Sequence, residues 1–326
     1  MDTSKIANPA LRASLENIGA MLKEREAERE QARSEAATTR RSAPANDNQP
    51  DFFVPSVYDV PVKDGIGLMD VAVFRLSKSQ KRAGEILRHQ YGDATIEVRS
   101  GPDGLATIYD YDIVLMMMIS HLAEEAKFHR QGRGPLPAKV FRPHASEVFK
   151  FIRVEHGGAS YHYLEQALDR LKGTSIKIIA TRQRSRRAGT FSLISDYEIV
   201  SRTETGRIGS VDIVIPDWIY AGVIAHKTPE VLTMNPDYFL IEKGLARFLY
   251  RLARKAAGQG EAVYSLQTIY ARTGSTRAFK KFCFDLRALV CANDLPDYAL
   301  ELIDGAEGGL LRMTHRAPAL PEASAA

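Results

Sequence analysis

The sequence predicts an α+β protein built from two tandem winged helix-turn-helix domains behind an N-terminal extension that is partly helical or disordered. Three observations carry this expectation. The order helix, short helix, tight glycine-containing turn, helix, strand, loop, strand occurs twice, and that is the order of a winged helix-turn-helix. Apolar residues change between helical and strand spacing where this order requires it. Positive charge gathers in two segments. Residues 160–190 carry seven Lys/Arg against two acids, and residues 272–287 carry five against one. These segments hold +5 and +4 in a chain of net charge +4, so the remainder sums to −5. Phosphate binding concentrates charge in this way, whereas a solvating surface scatters it.

The length of 326 residues, 44% of them hydrophobic, suits two globular cores. The most apolar run, Ile113–Ile119, is far too short for a bilayer and sits beside Asp110, Asp112 and His121. The start, MDTSKIANPA, lacks a cationic region followed by an apolar one, so the expectation is a cytoplasmic protein without membrane contact. Cys283 and Cys291 lie in one predicted helical stretch with no second pair to complete a zinc site. They read as buried, reduced thiols.

Residues 1–67 read as extension and linker. Leu11, Leu15, Ile18 and Leu22 form a helical stripe, which either meets a partner helix or stays solvated. KEREAEREQARSEA follows, and RRSAPANDNQP with Pro44 and Pro50 reads as a linker. Residues 51–67, with Phe52, Phe53, Val54 and Tyr58, suggest a strap packed on the first domain.

The first domain is expected over 68–202. Leu68–Phe74, Thr95–Val98 and Leu105–Ile108 read as strands, the last two joined by the turn SGPDG. Asp110 is the predicted cap of a helix containing Ile113, Val114, Met117, Met118 and Leu122. HASEVFKFIRVEHGG gives a short helix and a glycine turn. Ser160 is the predicted cap of YHYLEQALDRLKG, with Tyr161, Leu164, Leu168 and Leu171 on one face. SIKIIAT and GTFSLISDYEIV are β-rich and flank RQRSRRA, the expected wing.

The second domain is expected over 203–316, with a tail at 317–326. It opens on the strand RIGSVDIVI, then a short helix after Pro216 and a loop at 228–237. Ile241–Lys255 is a helix with Leu245, Phe248, Leu249 and Leu252 inside. YSLQTIYAR is a short helix with Ser265 as cap, and Thr273-Gly274 is the turn. Ser275 is the predicted cap of the next helix, and YALELID and GLLRMTHR are the closing strands around Gly305–Gly309.

In helix Ser275–Val290, Phe279, Phe282, Cys283, Leu286, Leu289 and Val290 share one face, at about 100° per residue. Arg277, Lys281, Phe284 and Ala288 share the other, with Lys280 on its flank. Cations there reach guanine O6/N7, and apolar groups touch thymine methyls. The candidate DNA-binding residues of this domain are therefore Arg272, Ser275, Arg277, Lys280, Lys281, Phe284 and Arg287. In the first domain, Arg182, Arg184, Arg186 and Arg187 suit backbone grip or entry into a minor groove. Helix Tyr161–Lys172 turns a mixed face outward and adds Gln166, Arg170 and Lys172. That face suits base reading or protein contacts, and the residues leave both open. The second wing, Gly305–Gly309, carries no cation.

Catalytic signatures are thin. There is no G-x4-G-K-[ST], no H-E-x-x-H and no CxxC, and Tyr161-His162-Tyr163 offers one histidine where a metal-holding His-x-His needs two. Asp110-Tyr111-Asp112 reads as a helix start with dipole-favourable acids. The expectation is no enzyme, no cofactor and no metal.

LSKSQKRAGEILRHQYGDATIEVRSGPDGLATIYDYDIVLMMMISHL, YHYLEQALDRLKGTSIKI, WIYAGVI and LARFLYRLARKAAG together resemble the plasmid replication initiator protein A family, over roughly Leu68 to Arg316. The resemblance implies two winged-helix domains binding double-stranded origin DNA at repeated sites. It also implies repression of the protein's own promoter, a monomer–dimer equilibrium and contacts with host replication proteins at the nucleoid or plasmid. By the same resemblance Arg277, Lys280 and Lys281 read the major groove. Alternatives are a winged-helix transcriptional repressor and, with less support, an origin-nicking endonuclease.

Overall fold

A computed structural model describes residues 39–43, 62–65, 69–78, 83–91, 94–182, 185–202, 206–224, 231–304 and 309–316. The helical stripe Leu11–Leu22, the strap residues 51–61, Arg184, residues 305–308 of the second wing and the tail 317–326 lie outside these. The first described segment, 39–43, lies in and before the expected linker and is docked on the second unit. The Thr39 amide donates to Asp294 at 2.6 Å, and Arg41 N–H donates to the Leu240 carbonyl at 2.8 Å.

β1 (Lys63–Gly65) follows, and then residues 69–78 as an extended strap. This strap lies beyond the one expected at 51–67, and residues 68–74 were expected to form a strand, because Met69, Val71, Ala72, Val73 and Phe74 are apolar. They are buried, but no ladder forms. Ala72 N–H goes to Arg272 at 2.8 Å and Arg75 N–H to Ala106 at 2.9 Å, so the strap is threaded between the two units. A run buried on both sides has the composition of a central strand without its pairing. β2 (Ile86–Tyr91) and β3 (Ala94–Arg99) form an antiparallel hairpin. Leu105–Ile108 is not the expected partner strand. After the Gly101–Gly104 turn the chain enters a helix at once.

That helix has three parts: α1 (Ile108–Tyr111), a π-helical turn (Asp112–Met116) and α2 (Met117–Arg130). Its cap is Thr107 rather than Asp110. Asp110 is the third residue of a reciprocal capping box, its carboxylate accepting the Thr107 N–H at 2.8 Å. β4 (Val140–Phe141), α3 (Ala145–Phe151) and α4 (Gly158–Gly173) complete the first helical layer. Ser160 lies inside α4, not at its start, and donates instead to the Glu155 carbonyl.

β5 (Ser175–Arg182) and β6 (Ser185–Ser192) form a hairpin, followed by β7 (Asp196–Arg202) and β8 (Ile208–Val214). The topology corrects the expected wing. β5 and β6 join a separate sheet of order β2-β3-β5-β6, whereas β4, β8 and β7 form the winged-helix sheet in that order. The wing of the first unit is thus the β7–β8 hairpin. The arginine-rich hairpin is an insertion between α4 and the wing. The same sheet spans the expected boundary at 202/203, because β8 pairs with β7 from Asp196↔Val214 to Arg202↔Ile208. β8 therefore closes the first unit.

α5 (Asp217–Ile224) leads to β9 (Val231–Thr233), which pairs with β1 inside what was expected to be a loop, and to a 3-10 turn, Pro236–Leu240. The second unit proper is α6 (Gly244–Ala256), β10 (Glu261–Ser265), α7 (Leu266–Thr273), α8 (Phe279–Ala292), β11 (Tyr298–Ile303) and β12 (Leu310–His315). Its sheet order, β10-β12-β11, repeats β4-β8-β7. In both units the strand before the short helix pairs with the last strand, which pairs with the middle one. The two winged helices are therefore the same topology used twice.

The units share a buried polar seam. Asp112 in the π turn pairs with Arg247 on α6 and accepts the Tyr238 hydroxyl at 2.7 Å. Asp64 on β1 pairs with Arg251 on α6 at 2.6 Å and accepts the Tyr111 hydroxyl. Asp64 and Asp112 are almost wholly buried, and each meets a guanidinium and a phenol, as buried charge requires.

Candidate nucleic-acid interface

The helix-turn-helix of the second unit is built by local chemistry. Ser265 caps α7 by accepting the Thr268 N–H at 3.1 Å. Gly274 ends it at φ +57°, a left-handed conformation that glycine takes without a Cβ penalty. α8 then begins at Phe279, four residues later than expected, without a side-chain cap. Ser275 accepts the Arg277 N–H at 3.2 Å, and the Tyr270 hydroxyl donates to the Arg277 carbonyl at 2.6 Å. These two bonds hold the non-helical segment 275–278 against α7.

Phe282, Cys283, Leu286 and Leu289 are buried on α8, and Lys280, Lys281, Phe284, Arg287 and Ala288 are exposed. Phe284 is 58% exposed. It stands among Lys280, Lys281 and Arg287, with most of its ring left to solvent. Cys291 is exposed rather than buried, because eight residues carry it about 80° round the helix from Cys283. Ser275 is half-buried and Arg277 is exposed, its guanidinium bound to Asp285. Arg272 does not join this face. It is mostly buried, 3.7 Å from Asp70 on the strap, with its guanidinium 4.7 Å from the Tyr264 ring centroid.

The first unit differs. Gln166 is exposed on α4 and lies 2.8 Å from His162. Arg170, expected to face outward, is turned inward onto Asp110. Lys172 is exposed but bound to Asp196 at 2.6 Å, which holds that carboxyl below its ordinary value. Glu165 takes Arg202 at 3.0 Å and Asp169 accepts the Tyr197 hydroxyl at 2.6 Å. The outer face of α4 is thus mixed, with His162, Gln166 and Lys172 exposed and Glu165 and Asp169 half-buried. Of the arginine hairpin, Arg182 ends β5 while Arg186 and Arg187 lie on β6, opposite Thr181 and Ala180.

The inserted sheet also braces the second unit. His89 on β2 is buried, with Nε2 3.1 Å from the Ala72 carbonyl and Nδ1 3.3 Å from that of Ala271. Ala271 is on α7, three residues before Gly274. No local pattern singled out His89, nor Lys78 and Lys243, which flank α8 on its strap side. Their placement depends on contacts far apart in sequence.

Among the described residues, no group of three His, Cys, Asp or Glu is placed to hold a metal ion, and no helix is long and apolar enough to cross a membrane.

Comparison with known proteins gives one consistent answer. The family model described as replication initiator protein A matches residues 63–300. A Wigglesworthia glossinidia brevipalpis protein whose name assigns it to replication is 32% identical over 254 residues, covering 76% of this chain and 88% of its own. The crystal structure of domains 2 and 3 of RctB superposes with a TM-score of 0.57 at 11% identity, over 78% of this chain and 99% of that one. The last likeness is one of fold.

Proposed function

The chain belongs to the replication initiator protein A family, and from that premise we propose that it is a sequence-specific DNA-binding initiator of plasmid replication. It binds repeated duplex sites at the origin, represses its own promoter and contacts host replication proteins, passing between monomer and dimer. The observation that carries this reading is the outer face of α8. Lys280, Lys281 and Arg287 surround an exposed Phe284, which matches major-groove recognition by cations and an apolar group. Base reading belongs mainly to the second unit, because α4 spends its charge on internal pairs. The arginine hairpin supplies sequence-independent grip. The reading includes no catalytic step.

A nuclease-protection footprint on the DNA flanking the gene tests this. Protection of an array of direct repeats is the expected result. A single protected inverted repeat at a promoter would favour a repressor instead, and no protection would refute the DNA-binding reading.

A further inference from the structure

A cleft of about 640 Å³ lies between the strap, the N-terminus of α6, the helix-turn-helix turn and α8. Its cationic lining comes from three separate places: Arg75 and Lys78 on the strap, Lys243 before α6, and Arg277 before α8. Among the described residues the one acid in the lining, Asp285, is bound to Arg277. Ala288, part of the exposed face of α8, also lines the cleft, so the cleft opens beside the residues assigned to base reading.

Three details show that the charge is gathered rather than incidental. Lys78 and Lys243 are exposed, and the Lys78 ammonium lies 4.3 Å from the Tyr109 ring centroid, with the Arg247 guanidinium at 4.6 Å from the same ring. The Lys78 ammonium is held below its ordinary pKa by the partial burial of its tip first, then by Arg247, with Arg41 adding to it and the Glu242 and Asp110 carboxylates opposing. Gly244 lets this happen: a Cβ there would collide with the Leu76 carbonyl, so glycine alone lets the strap pass close over the start of α6. An excess of positive charge in a half-enclosed cleft is lowered in energy by an anion, and at a helix N-terminus the backbone amides favour one too.

We propose that this cleft seats a phosphoryl group from the DNA strand running past α8, gripped by Lys78 and Lys243. This rests on the DNA-binding reading above and deepens it, since it assigns part of the second unit's grip to a strap from the first. Phosphates fix register and orientation on the duplex while base contacts specify. The strap would then make the two units bind as one body.

The test uses the full chain and three forms: K78Q/K243Q, K78R/K243R and the wild type. Each is titrated against a labelled duplex carrying the protected site across a range of salt. One lost phosphate contact should lower the salt slope by about 0.9 in the glutamine pair. The arginine pair should keep the wild-type slope, and preference for the site over scrambled duplex should be unchanged in all three. Matched thermal unfolding would exclude a folding defect. Wild-type binding with an unaltered slope in the glutamine pair would overturn the cleft alone. A wild type that binds no duplex would overturn the DNA-binding reading with it. Calorimetric binding of inorganic pyrophosphate, abolished by K78Q/K243Q while the DNA slope stays put, would overturn DNA as the source of the phosphate.

Discussion

The Arg170 guanidinium grips the Asp110 carboxylate through two hydrogen bonds of 2.8 Å, from Nε to Oδ2 and from Nη2 to Oδ1. Asp110 is fully buried and Arg170 nearly so. Tyr163 donates to the same carboxylate at 2.7 Å, and burial followed by Asp110 pushes its hydroxyl pKa far up. One residue of the cap of α1 is thereby bonded to two residues of α4. We predict that Arg170→Met alone costs about 3–5 kcal/mol of stability, because it leaves a buried carboxylate uncompensated. The double change with Asp110→Asn should recover part of this. Urea unfolding measures both. A loss under about 1 kcal/mol in the single variant would show that water reaches Asp110.

The outer face of α8 should carry base recognition. Replacing Lys281 or Phe284 with alanine should weaken specific binding by about 1–3 kcal/mol each and relax preference at the contacted base pairs. Neither side chain is buried, so unfolding midpoints should stay close to wild type. Competition binding against scrambled duplex reads the outcome, and an unchanged specificity ratio in both variants would remove α8 from the groove.

Neutralising Arg182, Arg184, Arg186 and Arg187 should act differently. Binding to all sequences should weaken and its salt dependence flatten, since contacts to phosphate carry no sequence information. An undiminished salt slope would place the hairpin away from the duplex. The hairpin extends a sheet whose β2 contacts the second unit, so the expected loss includes sites bound chiefly by that unit.

His89 should make stability depend on pH. Burial holds its ring below the ordinary value of 6.5, although the Ala271 and Ala72 carbonyls work the other way. The unfolded chain therefore takes up a proton that the folded chain refuses as pH falls through about 6.5. Stability falls with it, down to the lowered folded-state value, and levels off below. His89→Gln should abolish this component, so the stability difference between wild type and variant should shift toward the variant in acid. Parallel pH profiles from urea unfolding would contradict the assignment.

Purified protein incubated with supercoiled origin DNA and Mg²⁺ or Mn²⁺ should leave it uncut. Site-specific nicking, read on an agarose gel, would overturn the non-enzymatic reading.

By itself the sequence determined the two winged helices, because their signals are local. Apolar spacing set the helices, Ser265 and Gly274 set the ends of α7, and the split between Phe282, Leu286 and Leu289 on one side and Lys280, Lys281 and Phe284 on the other set the orientation of α8. Tertiary structure decided what local pattern leaves degenerate. Four consecutive strands after α4 look alike in sequence, and only pairing assigns β5 and β6 to one sheet and β7 and β8 to another. The strap reads as a strand because it is apolar, yet its hydrogen bonds go to both units. Helical spacing counts Arg170 with the outer residues of α4, and its actual direction follows from Asp110, sixty residues away. Lys78 and Lys243 line one cleft beside α8 because Gly244 lets two backbones approach. A charge's periodicity gives the face it stands on, whereas its partner is chosen by segments distant in the chain.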